Sequence, residues 1–248
     1  MRKVSIITVC FNSSKTIRKT FDSVLQQSYP EIEYLVVDGE STDETVDIIK
    51  EYEPLFQGRM RWVSEEDNGI YDAMNKGIRM SSGELIGIIN SDDYYETDAV
   101  ENMVNEWTDE KYQILYGAMR TWKYGVEESI GILSHRFLHE RMIGHPSCFV
   151  TRAVYEDFGY YDIKHTSAAD YDFMLKMNEN PEVHFIPVYR VIANFTTGGM
   201  CATDKAYEDL MEVRKAHGLL TNYQYRKFRM MSCLYKMKET CCRIFCRA

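Results

Sequence analysis

Proline is scarce, with 5 in 248 residues, and the 14 glycines are spread too thinly to make linkers or repeats. A collagen-like or disordered chain is thereby excluded. No apolar run approaches the ~20 residues that a membrane span needs. Seven cysteines are present, Cys10, Cys148, Cys201, Cys233, Cys241, Cys242 and Cys246, yet none forms a C-x-x-C pair. Zinc-binding spacing is therefore absent, and the cysteines read as reduced thiols used as small hydrophobes. Nor does a glycine-rich phosphate loop follow the first apolar run, where Asn12-Ser-Ser-Lys15 stands instead. That argues against a nucleotidyltransferase.

What is present is a composition with ample core: 45% hydrophobic, 13% aromatic and 27% charged. The length suits one large α/β domain or two small ones. Val4–Phe11 is short, ends in polar Asn-Ser-Ser and lacks a small-residue cleavage site, so it reads as a buried strand and not a signal peptide. The expected location is the cytoplasm.

Charge is unevenly divided. The whole chain carries −9. Residues 214–248 hold nine Lys/Arg against the single acid Glu239, a net of +8, which leaves −17 for residues 1–213. An acidic body argues against broad nucleic-acid binding, and a basic tail suggests an anionic surface as a partner.

The body alternates strand and helix patterns. Val4–Phe11 is rich in β-branched residues. Ser14 is placed to cap a helix from Lys15 to about Gln27, whose Ile17, Phe21, Val24 and Leu25 share one face. Tyr34–Val37 is a second strand, and a helix begins near Thr42. Arg61–Val63 is a third strand, Ile70–Met80 a helix, and Leu85–Ile89 a fourth strand that ends at Asn90-Ser91-Asp92-Asp93. This order predicts a mostly parallel sheet with helices on both faces. From about Tyr112 the pattern is less regular and reads as a continuation of the sheet carrying a second substrate's pocket.

In open parallel sheets, ligands bind beyond the carboxyl ends of the strands. The polar groups there are Asn12, Asp38, Glu65 to Asn68, and Asn90 to Asp93. They are mostly carboxylates, which repel one another unless a cation or proton joins them. Adjacent Asp92 and Asp93 suit Mg²⁺ or Mn²⁺, hard ions that take carboxylates together with substrate phosphates. A solvated turn capping the helix near Thr97 is the alternative at this point.

Five blocks in order give the constellation its identity: Val4-Ser-Ile-Ile-Thr-Val-Cys-Phe-Asn12, Val37-Asp-Gly-Glu-Ser-Thr-Asp-Glu-Thr45, Asp67-Asn-Gly-Ile-Tyr-Asp-Ala-Met-Asn-Lys-Gly77, Gly83-Glu-Leu-Ile-Gly-Ile-Ile-Asn-Ser-Asp-Asp93 and Ala169-Asp-Tyr-Asp-Phe173. The chain resembles the family 2 glycosyltransferases of GT-A fold that build capsule, O-antigen or exopolysaccharide units. The resemblance implies an inverting, metal-dependent transfer of a hexose or N-acetylhexosamine. The donor would be a nucleotide-diphosphate sugar, expected to be UDP-linked, and the acceptor a sugar hydroxyl of a growing or lipid-linked glycan. By resemblance, Val9 lies near the base, Phe11 stacks on it and Asp38 accepts its ring N–H, with Asp67 at the nucleotide edge. Asn90, Ser91 and Asp92 stand where the family carries Asp-x-Asp, and Asp92 and Asp93 share ribose and metal duties. Asp170 is the expected base for the attacking hydroxyl, in the first turn of a helix that Thr166 and Ser167 could cap. Asp172, two residues on, faces away. His145, before Pro146, matches an acceptor-side histidine, although a histidine there is often structural. Thr196-Thr-Gly-Gly199 resembles a mobile loop near the donor, and would equally make a plain turn. Three departures are visible: Phe11 where Tyr is usual, Gly39 at the second acid of an Asp-Asp pair, and Asn90 at the first acid of Asp-x-Asp.

The resemblance divides the chain into a glycosyltransferase domain over 1–213, with a nucleotide-sugar half (1–110) and an acceptor half (111–213), and a basic tail (214–248). On a helical wheel from Met230 to Phe245, Met231, Leu234, Tyr235, Met237, Cys241, Cys242 and Ile244 join those two residues on one side. Arg229, Lys236, Arg243 and Arg247 cluster on the other, and Lys238 alone falls inside the apolar arc, where it could snorkel. This is the pattern of an interfacial helix on anionic lipid, peripheral to the inner face of the cell membrane. The same face would serve for packing on the acidic body or on a second subunit. A non-catalytic sugar- or nucleotide-binding module would tolerate loss of Asp92 or Asp170, and both acids are present; a scaffold held by the tail would keep membrane binding with no donor turnover.

Overall fold

The computed structural model describes residues 2–197 and 203–232. In chain order the elements are β1 (Val4–Cys10), α1 (Ile17–Leu25), β2 (Ile32–Asp38), α2 (Thr45–Tyr52), β3 (Met60–Ser64), α3 (Ile70–Met80), β4 (Leu85–Ile88) and β5 (Tyr94–Tyr95). They continue as α4 (Ala99–Glu106), β6 (Gln113–Lys123), β7 (Val126–Gly131), β8 (Cys148–Thr151), α5 (Arg152–Phe158), α6 (Ala169–Glu179), β9 (His184–Thr196) and α7 (Asp204–Ala216). Residues 222–232 are also helical.

The strands form one sheet in the order β3-β2-β1-β4-β8-β6-β9-β5, with β7 paired to β6. From β3 to β4 every pairing is parallel, and Ile7 stands beside both Leu35 and Ile88. Beyond β4 the sheet becomes mixed: β8 is antiparallel to β4 and β6, while β6 and β9 run parallel. The irregular second half is therefore the same sheet extended.

Both faces of the sheet are covered, so β1 and β2 are buried along their whole length and are mostly apolar. Their side chains alternate between two cores. Ile7, Val9, Leu35 and Val37 pack with Met74 and Ile78 of α3 and Phe173 and Met174 of α6. Val4, Ile6, Tyr34 and Val36 pack with Phe21, Val24, Ile49 and Met103 from α1, α2 and α4. Each such buried side chain contributes about 1.5–3 kcal/mol. Helix α3 lies unusually close to the sheet, because a Cβ on Gly77 would stand 2.5 Å from Ile7 Cγ2.

Two expected caps are corrected. Helix α1 begins at Ile17 without a side-chain cap. The Ser14 amide donates instead to Asp43 Oδ2 at 3.1 Å, and Asn12 Oδ1 accepts from the Thr42 amide at 2.9 Å. The loop after β1 is thereby tied to the loop before α2 rather than to its own helix. Helix α6 is not capped by Thr166 or Ser167. Asp209 of α7 does this work, its Oδ2 accepting from the Ser167 and Ala168 amides at 2.8 and 3.0 Å.

No helix among the described residues is long and apolar enough to cross a membrane. The amphipathic pattern of the tail falls on residues 233–248 beyond its first turn, outside the described residues, as do Gly198 and Gly199.

Candidate active site

Because β1 to β4 run parallel, their carboxyl ends share one edge. Asp38 closes β2 there, and it is fully buried. Its carboxylate accepts from the Ser41 amide at 2.9 Å, from Ser64 Oγ at 2.6 Å and from Ser41 Oγ, with Cys10 Sγ at 3.5 Å. These donors occupy both oxygens, so the expectation that Asp38 meets a base is corrected: it anchors the turn after β2. Val9, 3% exposed, likewise lies in the core beneath the edge and offers a ligand no side-chain surface.

The carboxylate that reaches this spot is that of Asp67. Its Oδ1 accepts from the Gly69 amide at 2.8 Å. A Cβ on Gly39 would lie 2.5 Å from Asp67 Oδ2 and 3.5 Å from the Phe11 ring. The missing side chain at Gly39 is therefore filled in space by Asp67, next to an aromatic ring that is 62% exposed. A bare aromatic face beside a half-buried carboxylate can stack on a flat heterocycle and accept its N–H.

The turn after β4 carries the second cluster. Ser91 is buried and shares a 2.8 Å hydrogen bond with Ser13 Oγ, joining the ends of β1 and β4. Asp93 is 1% exposed. Its Oδ1 accepts from the Thr196 amide at 2.9 Å, while its Oδ2 and the Oδ1 of Asn90 are buried without a partner among the described residues. Asp92 is half-buried, and no side chain among the described residues pairs with its carboxylate. Burial raises the pKa of both acids, and the charge of Asp92 raises that of Asp93 further. Desolvated carboxylates and orphaned oxygens are relieved by a cation, and an all-oxygen set suits Mg²⁺ or Mn²⁺. The residues therefore fit such an ion, with Asp92 the more open ligand.

Across the cleft, Asp170 lies in the first turn of α6. Its Oδ1 accepts from Tyr71 Oη at 2.7 Å and from the Tyr171 amide at 2.9 Å. A cavity of about 200 Å³ has Asp170, Tyr71, His145 and Asn90 on its wall, with Met119 and Phe195 among its apolar side chains. One cavity thus reaches from the β4 turn to the α6 carboxylate. His145 is buried and shares a 3.3 Å hydrogen bond with Tyr161 Oη. Burial lowers its pKa, with the charge of Asp170 opposing, which favours neutral imidazole. Asp172 is buried on the other side of α6, paired with Lys176 and with His217 at 2.9 Å.

Four participating residues were not singled out from the sequence. Tyr71 holds Asp170 from 99 residues away, Asp209 caps α6, and Ser41 with Ser64 saturates Asp38. Tyr71 lies inside a block that the resemblance had already marked, but nothing local links it to Asp170.

The chain is similar to glycosyltransferases by sequence and by fold. A PGL/p-HBAD biosynthesis glycosyltransferase of Mycobacterium bovis is 29% identical over 206 residues, 80% of this chain and 79% of the relative. The uncharacterized glycosyltransferase Rv1514c of Mycobacterium tuberculosis is 30% identical over 70% of this chain and 68% of its own. Among solved structures, S. aureus TarS 1-349 in complex with UDP-GlcNAc superposes with a TM-score of 0.70 at 20% identity, covering 89% of this chain and 67% of that one. The longer TarS chain is spanned to 39%. Mannosyltransferase PcManGT from Pyrobaculum calidifontis, in complex with GDP-Man and Mn²⁺, gives a TM-score of 0.61 at 19% identity, covering 93% of this chain and 64% of that one. The fold is that of the GT-A glycosyltransferases. The family described as Glycosyl transferase family 2 matches residues 5–187, and a match over most of the chain makes this protein a glycosyltransferase of that family.

Proposed function

We propose that the protein is an inverting, metal-dependent glycosyltransferase that moves a hexose or N-acetylhexosamine from a UDP-sugar to a sugar hydroxyl of a growing or lipid-linked glycan. Residues 1–110 bind the donor, 111–213 the acceptor, and 214–248 form a tail that holds the enzyme at the inner face of an anionic membrane. The observation that carries this reading is the single cavity walled by both Asn90 and Asp170.

In this reading the nucleobase stacks on Phe11, and Asp67 rather than Asp38 accepts its ring N–H. Asn90 meets the ribose, and the Ser91–Ser13 bond fixes the turn that presents it. Asp92, with Asp93 beside it, would hold a divalent ion, which would supply positive charge to offset the leaving diphosphate. The acceptor hydroxyl enters from the α6 side. Asp170 takes its proton as the oxygen bonds to the anomeric carbon, while the bond from that carbon to the diphosphate oxygen breaks. One displacement from the opposite face inverts the centre. Tyr71 holds Asp170 in place, and neutral His145 shapes the acceptor wall. Both glycosyl donors named in the solved relatives are nucleotide sugars, and the UDP complex is the better superposition.

Calorimetry with UDP-, GDP- and dTDP-sugars, each with Mn²⁺ and with chelator, tests the donor. The expected result is metal-dependent binding of a UDP-sugar. Binding of none by a folded sample would overturn the enzyme reading in favour of a non-catalytic scaffold.

A further inference from the structure

A second group of metal-capable side chains lies away from the donor edge, on the far side of α6. Asp162, His165 and Asp172 bring their ligand atoms within 4.8 Å of one another. Asp162 and His165 stand in the tight turn before α6, where the His165 amide donates to the Asp162 carbonyl at 3.1 Å. Asp172 lies on the helix itself and is buried.

The state of His165 points to an ion. The ring is 5% exposed. Its Nδ1 lies 2.6 Å from Asp209 Oδ1, and its Nε2 is buried with no partner among the described residues. A carboxylate only accepts, so Nδ1 carries the hydrogen, and Nε2 is the ring nitrogen left to face an ion. A carboxylate behind one ring nitrogen is the arrangement that orients a histidine toward a metal on the other. His165 makes no ion pair with Asp162 or Asp172 among the described residues. Their ligand atoms, all within 4.8 Å of one another, are close enough to share one ion. Ligands at roughly 2.1 Å from a common ion stand roughly 3.4 Å apart, so the cluster closes by about 1 Å around it. Lys164 and Lys176, now paired with the acids, have side chains 65% and 48% exposed and are free to leave, while buried His217 stays on Asp172 Oδ1 and leaves Oδ2 for the ion.

We propose that Asp162, His165 and Asp172 form a second divalent-cation site, one nitrogen and two oxygens, for a first-row ion such as Mn²⁺, independent of the donor. The ion clamps the turn before α6 to the helix that carries Asp170. Asp209 links this clamp to α7 and caps the same helix.

The test uses the full chain with Mn²⁺ alone and no nucleotide, counting bound ion by paramagnetic resonance. Mn²⁺ is chosen because thiols bind it poorly, so the cysteines do not compete. Asp92→Ala removes the donor-site ion. In that background one Mn²⁺ per chain is expected, with a higher melting temperature than in chelator. Adding Asp162→Asn, at a half-exposed position, or His165→Gln weakens that binding at least about 10-fold and abolishes the thermal shift. The proposal is overturned if Asp92→Ala binds no Mn²⁺, or binds it equally with either further substitution. Because Asp92→Ala lacks the donor ion, failure here is distinct from failure of the transferase reading.

Discussion

Gly39→Ala is a one-carbon test of how the base is recognised. The backbone at Gly39 is outside the left-handed region, so alanine adds no local strain. The new Cβ would stand 2.5 Å from Asp67 Oδ2, where carbon contacts are comfortable only from about 3.5 Å. The carboxylate must retreat by about 1 Å. That stretches its 2.8 Å bond from the Gly69 amide and carries it off the edge of the base. A hydrogen bond to a charged group is worth about 1.5–3 kcal/mol, so donor affinity should fall by about 10- to 150-fold. Calorimetry with UDP, backed by circular dichroism to confirm the fold, measures it. The control is the same change in an Asp67→Ala background, where the added methyl meets no carboxylate and should cost little. Wild-type affinity in Gly39→Ala, or an undiminished loss in the double variant, would refute a role for Asp67.

Other perturbations separate the remaining parts. Tyr71→Phe removes the 2.7 Å bond to Asp170 and should lower kcat about 10-fold or more while leaving the donor Kd unchanged; a loss confined to donor binding would contradict its positioning role. Glu33 is buried at the opposite end of the sheet, and burial pushes its pKa up. Bonds from Ser5, Ser82 and Arg61 outweigh that and hold it down at about 2. A lowered folded-state value stabilises above the ordinary carboxylate range and loses that contribution as pH falls toward 2. Thermal melts should therefore decline more steeply between about pH 5 and 2 in the wild type than in Glu33→Gln; parallel declines would contradict the assignment. Deleting residues 226–248 should release the protein from anionic vesicles without changing donor affinity, and unchanged vesicle binding would exclude the membrane role of the tail.

The first half of the fold was legible because its signals are local. Ile70–Met80 is a helix over the span its periodicity predicts, and β1 to β4 fall on their apolar runs within one to two residues at most ends. The shared edge followed from parallel order alone. What escaped was long-range. Ser14, Thr166 and Ser167 have the right chemistry for caps, but Asp43 and Asp209 reach them or their helix first from other elements. Asp38 carries the motif, yet Ser41 and Ser64 fold over it and leave Asp67 to face the cleft. The pairing of β6 with both β8 and β9 joins segments far apart in sequence, so the irregular pattern after Tyr112 did not disclose the sheet's order.

The central claim is that Asp170 takes the proton of the acceptor hydroxyl, and Asp170→Asn tests it most directly. Asparagine preserves the size of the side chain and cannot act as the base. With the donor found by calorimetry, the variant should bind that donor with wild-type affinity and transfer its sugar at least about 10²-fold more slowly. Transfer at a near-normal rate with donor binding intact would contradict the account.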